Sequence, residues 1–313
     1  MICPASPGSR SGNRTTALRW AAMLRALGRR VRIRAEYAGE SSDILIALHA
    51  RKSAPAVVHW REKFPDRPVI LALTGTDLYR DLPESAEARQ SIALAHRIIV
   101  LQPMAIERIP AESRFKAQVI YQSAVPVSNP DPPDARYFDI CVVGHLREEK
   151  DPFRAAAAAR LLPSESRVRI LQAGRAIIPE FEARARREQS ESPRYCWLGE
   201  LSRARTRRLI ATSRALALTS WMEGGANVIS EAIVNDVPVI ASRIDGSVGL
   251  LGAGYSGFYE PGDTEALAHL FAGIESDSFF YSALRQHCAS LKPVFTPEAE
   301  LATWMELLLD LRS

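Results

Sequence analysis

"ALALTSWMEGGANVISEAIVNDVPVIAS", residues 215–242, reads as a strand, a helix and a second strand. The runs "ALALTS" (215–220) and "PVIAS" (238–242) are short and continuously apolar, as strands buried on both faces are. Between them, "ANVISEAIVN" (226–235) has the length and spacing of a helix. Strands separated by helices make a parallel sheet covered on both faces. Glu223, Gly224 and Gly225 fall between the strand and the helix. In an open α/β sheet, ligands bind at such carboxyl ends.

The same alternation extends outward in both directions. "DICVVGHL", "VRILQAG" and "YCWLGEL" precede it, and together these runs form one set of strands. "VRIRAE", "DILIALH", "PVILALT", "RIIVLQ" and "AQVIYQS" form an earlier set. The proline-rich stretch "SAVPVSNPDPPDARYF" (123–138) separates the sets and reads as a linker. The fold class is therefore α/β, with two Rossmann-like domains whose parallel sheets face a cleft. The expected domains are residues 1–128 and 129–295. A C-terminal amphipathic helix over 296–313, with Thr296 or Pro297 near its start, is expected at the domain junction. Only "MIC" precedes Pro4, so the first strand is either clipped or part of a modified sheet edge.

The 313 residues are 47% hydrophobic and 24% charged, a globular composition whose length favours two domains. The longest apolar runs, such as "ALALTSW", are too short to cross a bilayer. Residues 1–20 contain no apolar core of a signal peptide, so a cytoplasmic protein is expected. Cys3, Cys141, Cys196 and Cys288 have no metal-ligand spacing; Cys141 and Cys196 read as buried thiols. The net charge of +4 comes from arginine-rich helix faces, as in "LSRARTRR". No aromatic-studded basic stripe accompanies it, which argues against nucleic acid. A mild positive field would attract phosphorylated substrates.

A glycine-rich turn into a helix presents unsatisfied N–H groups and the positive end of the macrodipole, with no Cβ to hold a phosphate away. Carboxylates there would repel phosphate, so Glu223 and Glu231 should accept hydrogen bonds from sugar hydroxyls instead. A nucleotide sugar satisfies both halves of this pattern.

"GHLREEKD" (144–151), "SWMEGGANVISEAIVNDVPVIAS" (220–242) and "GFYEPGD" (257–263) together resemble the GT-B glycosyltransferases with the paired-glutamate motif. The resemblance implies that Glu223 contacts the donor hexose and Glu231 the ribose. It places Gly224, Gly225, Ala226 and Asn227 at the diphosphate, with Arg147 and Lys150 as the basic pair that neutralises the leaving group. Leu198 and Gly199, in "YCWLGEL", are counted with the donor-binding residues. No D-x-D triplet occurs, so neither a divalent metal nor any other cofactor is expected. Asp236 departs from the family's usual glycine and is read as a turn residue.

A closer resemblance lies in "PGSRSGNRTTALRWAAMLRALG", "DILIALHARKSA", "LALTGTDLYRDL", "RIIVLQPMA" and "DGSVGLLGAGYSGFYEPGDTEAL". These are similar to the selenosugar synthases of selenoneine biosynthesis. That resemblance implies a UDP-sugar, typically UDP-N-acetylglucosamine, and selenophosphate as substrates, and a product passed to later enzymes of the pathway. Three loops of the N-terminal half are then candidates for the acceptor. Ser9, Arg10, Ser11, Gly12, Asn13 and Arg14 form a backbone nest with two arginines. His49, with Arg51 and Lys52, follows one strand; Thr74, Gly75, Thr76 and Asp77 follow another. Asp77 is either a cap for the next segment or a general base. His145, after "ICVVG", joins Glu223, Arg147 and Lys150 as a catalytic candidate. An ordinary glycosyltransferase acting on a hydroxyl, a nucleotide-sugar epimerase and a non-catalytic nucleotide-sugar binding protein are the alternatives.

Overall fold

The computed structural model describes residues 1–6, 8 and 11–311. They fall into two compact units. The first comprises Met1–Gln122, Glu223–Gly225 and Pro297–Ser313; the second comprises Ser123–Met222 and Ala226–Thr296.

The first unit holds a parallel sheet of β1 (Leu45–Leu48), β2 (Val69–Ala72), β3 (Arg97–Val100) and β4 (Ala117–Val119), paired in chain order. Side chains alternate between two apolar faces. Leu45, Ala47, Val69, Leu71 and Ile98 pack with Val57 and Trp60 on one face. Ile46, Leu48, Ile70 and Ile99 pack with Trp20 and Leu24 on the other. Strands buried on both sides explain the continuous apolar runs. The helix Pro297–Asp310 belongs to this unit. Trp304 sits edge-on to Trp20 at 5.1 Å. Buried Glu300 accepts from Trp20 Nε1 at 2.7 Å and pairs with Arg19 at 3.0 Å. A carboxylate in a core is tolerable only with such partners.

The expected strand "VRIRAE" is not one. It contributes a single bridge, at Arg34, to Ile2, which also bridges Ala47. Pairing stops there because Pro4 has no N–H to donate, and the charged run 32–36 is largely exposed. The short start of the chain is thus a one-residue rung beside β1, held by Ile2 N to Ile46 O at 2.7 Å.

The second unit has six parallel strands: β5 (Phe138–Val143), β6 (Val168–Ala173), β7 (Tyr195–Trp197), β8 (Ala215–Leu218), β9 (Val239–Ser242) and β10 (Phe258–Tyr259). Their order is β10-β9-β8-β5-β6-β7. From β5 the chain builds outward on one side, then returns to build on the other, the doubly wound Rossmann arrangement. The fold class expected from the sequence stands. Strand β10, inside "GFYEPGD", is an addition; two residues show no periodicity. The proline-rich stretch has no regular structure before Phe138 and lies along the second unit, with Val127 N donating to Asn235 Oδ1 at 2.8 Å. Asp236 adopts φ 61° between the helix Asn227–Val234 and β9, a left-handed position that Asp tolerates, and pairs with Lys292 at 2.5 Å. Among the described residues, no helix is long and apolar enough to cross a membrane.

Candidate active site

In the second unit, the strand order reverses between β5 and β8. The loops that leave these two strands diverge, and the crevice outside their carboxyl ends is where such sheets take ligands. Two hydrogen bonds tie the loops together. Thr219 Oγ1 donates to the Lys150 carbonyl at 2.8 Å, and Trp221 N donates to the Glu149 carbonyl at 2.9 Å. Ser242 Oγ braces the far side through the Ser220 carbonyl at 2.6 Å. Lys150 and Arg147 are therefore held on a short 3₁₀ turn, Glu148–Lys150, beside the segment that leads to Glu223. The Arg147 side chain is 45% exposed and only loosely paired, 3.9 Å from Glu149, which leaves its guanidinium accessible to an anion. Gly144, Lys150, Pro152, Gln172, Thr219 and Ser220 line a shallow, solvent-open recess at this point.

Three strand ends converge at the same edge. Gly174 N donates to the Gly199 carbonyl at 2.8 Å, and a Cβ on Gly174 would lie 1.8 Å from the Gly144 carbonyl oxygen. Only glycine fits there. The residues that follow are His145, Arg175 and Glu200. His145 Nδ1 accepts from Arg175 N at 3.3 Å, so a neutral ring carries its proton on Nε2. Burial lowers the His145 pKa, as do Arg175, Arg147 and Lys150, against the opposing pull of Glu200. Leu198 continues the ladder to Gln172 O at 2.8 Å, with Gly199 at φ 65°.

The helix Asn227–Val234 begins from Ala226, which has no side-chain oxygen to cap it. Glu231 lies half-buried in that helix. Its charge reaches the buried Cys141 thiol, whose pKa is pushed up to about 12, chiefly by burial. Glu223, Gly224 and Gly225 group with the first unit. A Cβ on Gly224 would lie 2.5 Å from the Thr74 carbonyl, and one on Gly225 would lie 2.5 Å from Leu101 Cβ. The two glycines are thus demanded by backbone packing, a reason the sequence does not reveal.

In the first unit, the polar groups around Asp77 are largely satisfied internally. Asp77 is fully buried. Its carboxylate accepts from Ala50 N at 3.0 Å, Thr74 N at 2.9 Å and Gly75 N at 2.8 Å, so it neither caps the segment after it nor stands as an accessible base; it ties the loop before it to the end of β1. His49, buried at φ 76°, faces Thr76 Oγ1 at 3.4 Å and Asp81 at 3.8 Å. Burial lowers its pKa and outweighs Asp77 and Asp81. Arg51 pairs with Asp81 at 2.9 Å, and Lys52 N donates to His49 Nδ1 at 3.4 Å. Ser11 caps the helix Gly12–Ala26 through Arg14 N at 3.4 Å, with Asn13 in its first turn. Ser9 and Arg10 lie outside the described residues.

Arg175, Glu200, Thr219, Trp221 and Gln172 are site residues that sequence reasoning passed over. "VVGHL", "QAGRA" and "WLGEL" repeat one layout, strand then glycine then polar residue, and that repeat points to the first two. Among the described residues, no group of three His, Cys, Asp or Glu side chains is arranged to hold a metal ion.

The model of the family "Glycosyl transferases group 1" matches residues 129–290, more than half of the chain. Among curated proteins none matches. The fold is similar to that of Anabaena Alr3699/HepE in complex with UDP, with TM-score 0.73 and 17% identity over 94% of this chain and 82% of that one. The UDP-glucose complex of the same protein gives TM-score 0.70 and 18% identity, covering 86% and 79%. Sucrose-phosphate synthase of Thermosynechococcus elongatus gives TM-score 0.70 and 16% identity, covering 98% and 82%.

Proposed function

The chain belongs to the group 1 glycosyltransferases, and from that premise we propose that it transfers a hexose from a UDP-sugar to the selenium of selenophosphate. The observation that carries the donor half is the switch-point crevice of the second unit, with Arg147 and Lys150 on a loop tied to Thr219 and Trp221. Such a site suits a nucleoside diphosphate. Solved structures of similar fold hold UDP and UDP-glucose, which supports the same donor class. The acceptor half rests on the resemblance of the N-terminal strings to selenosugar synthases.

In this reading Glu231 binds the ribose and Glu223 the hexose. Arg147, Lys150 and the uncapped helix start at Ala226 and Asn227 neutralise the diphosphate as it leaves, in place of a metal. The C1–O bond to UDP breaks, UDP keeps the electron pair, and selenium forms the C1–Se bond. Water then attacks phosphorus; the Se–P bond breaks and releases phosphate and the selenosugar, a substrate for later enzymes. Selenophosphate is already anionic, so the first step needs no strong base. We assign its phosphoryl group to the loops around Ser11–Arg14, His49 and Thr74–Thr76. N-Acetylglucosamine is the proposed hexose.

The test is the product mass from UDP-N-acetylglucosamine and selenophosphate, with and without EDTA. A selenosugar formed in both supports the reading. Transfer only to added hydroxyl acceptors would replace it with an ordinary glycosyltransferase. Loss of the product in EDTA, restored by magnesium, would overturn the metal-free site.

A further inference from the structure

Trp20, Trp60 and Trp304 are buried, whereas Trp221 is 47% exposed. The Trp221 ring is open to solvent and yet held. Its main-chain N–H donates to the Glu149 carbonyl at 2.9 Å. The benzene edge of the indole lies over Gly262, where a Cβ would come 2.7 Å from Cη2, 3.4 Å from Cζ2 and 3.6 Å from Cζ3. Gly262 has φ 85°, in the turn that follows β10. A side chain there would push the ring off its seat. Ser220, the residue before, is braced at the end of β9 by Ser242 Oγ, 2.6 Å from its carbonyl. The indole thus reaches from the end of β8 to the turn after β10. An aromatic ring fixed from beneath gives up little conformational entropy when a ligand covers its other side.

We propose that the outer face of the Trp221 indole is the platform on which the hexose of the donor packs. This rests on the UDP-sugar reading. In a nucleotide sugar the two rings leave the diphosphate in opposite directions. The diphosphate is assigned to the loop of Arg147 and Lys150, between the ends of β5 and β8. The strand order β10-β9-β8-β5-β6-β7 gives that point two sides. On the β6 and β7 side, Arg175 and Glu200 follow the strands, polar groups suited to the hydrogen-bonding edges of a nucleobase. On the β10 side stands the indole. Glu223, the proposed hexose contact, follows it in the chain by two residues. The faces of a pyranose chair carry C–H groups that pack flat on an aromatic ring, drawn by its electron-rich face. The hydroxyls around the rim are left for acceptors. Apolar contact from the indole and hydrogen bonds to the carboxylate are the two components of a small-molecule site.

The experiment separates this proposal from the reading beneath it. UDP, UDP-glucose and UDP-N-acetylglucosamine are titrated by calorimetry into the wild type, Trp221→Ala and Trp221→Phe, with tryptophan emission followed in parallel. A wild type that binds none of the three, or UDP alone, overturns the donor reading and this proposal with it. A wild type that binds UDP and a UDP-sugar puts Trp221 alone to the test. Trp221→Ala should then weaken the UDP-sugar about 3-fold to 10-fold, the scale of an aromatic contact, and leave UDP affinity unchanged. Trp221→Phe keeps a smaller ring and should recover part of the loss. In the wild type the UDP-sugar should change the emission more than UDP does. Trp221→Phe should remove that difference, because Trp20, Trp60 and Trp304 are buried. Equal losses for UDP and the UDP-sugar would mean that the ring serves the nucleoside or the shape of the loop, and would overturn the proposal. Wild-type affinity for the UDP-sugar in folded Trp221→Ala would overturn it as well. If Trp221→Ala does not fold, the emission of Trp221→Phe carries the decision.

Discussion

In the first unit, the polar residues that follow the strands turn inward. Asp77 is fully buried under three backbone N–H groups, and His49 and Arg51 gather around Asp81, which is 7% exposed. In the second unit, the loops that leave β5 and β8 are tied to each other through main-chain carbonyls. Thr219 and Trp221 bond the carbonyls of Lys150 and Glu149, and the Arg147 guanidinium stays half-exposed. A loop can be shaped by burying a charge or by pairing main-chain groups. The first consumes the charge; the second leaves the Arg147 guanidinium open to an anion. Mutation of Asp77 should therefore cost stability, and mutation of Arg147 should cost nucleotide binding.

The largest expected effect tests the stability half. Asp77→Ala strands three buried N–H groups and should destabilise the protein by about 3–5 kcal/mol, since each unsatisfied group costs on the order of 1–3 kcal/mol and the loop will partly relax. Asp77→Asn keeps an acceptor and should cost less. Denaturant unfolding monitored by circular dichroism decides it. If Asp77→Ala is as stable as wild type yet inactive, Asp77 serves chemistry and the contrast between the two units fails.

Next in size is Gly224→Ala. The new methyl would lie 2.5 Å from the Thr74 carbonyl, and overpacking of this kind costs about 1–3 kcal/mol. Gly12→Ala, with nothing within 4 Å, should be neutral or stabilising by up to about 1 kcal/mol, because glycine is a poor helix residue. Melting curves of the pair would show whether the glycine at 224 is there for packing. Equal stabilities would return it to a role in ligand approach alone.

These two cases also show what the sequence could disclose. Strands β1, β2, β8 and β9 were legible because burial on both faces leaves an unbroken apolar run, and β3, β5 and β6 because an apolar run dominates them. The rung at Ile2 and Arg34 and the two-residue β10 were not, because pairs that short carry no period. Asp77 read as either a cap for the next segment or a base; its bonds to Ala50 N and to the two N–H groups before it were not legible. The seating of Gly225 on Leu101 was not, since nothing in "MEGGA" names a partner so distant in the chain. Gln172 was hidden for a related reason. One polar residue in an apolar strand reads as noise until the recess it faces is known.

A binding effect without a stability effect is expected from Arg147→Ala. Its side chain is 45% exposed and lies 3.9 Å from Glu149, and its carbonyl bond to Lys150 N survives the substitution, so the fold should keep its melting temperature within a degree or two. UDP affinity should fall by roughly 10-fold, about 1.4 kcal/mol, as one charged contact to the diphosphate is lost. Calorimetry and a thermal melt on the same sample test both halves. A large drop in melting temperature would show that this loop, like that of Asp77, depends on its charge for shape.

The smallest effect concerns His49, and its sign follows from its burial. Desolvation holds its folded pKa below the ordinary value near 6.5, despite the carboxylates of Asp77 and Asp81. Between that lowered value and 6.5 the unfolded chain binds more protons than the folded one. The stability due to a neutral His49 is therefore fully present above 6.5 and is lost as pH falls through the lowered folded pKa. His96 and His145 are shifted in the same direction by burial, so the whole protein should melt earlier on acidification from pH 7 to pH 5. His49→Asn isolates one contribution, because Asn accepts the φ of 76° that most side chains resist. The variant should show a shallower fall in melting temperature over that interval than the wild type. An unchanged slope would leave His49 without a pH-dependent contribution, and a steeper fall would mean that Asp77 and Asp81 hold it charged in the folded state. The first unit's loop would then be built around an ion pair rather than around a buried neutral ring.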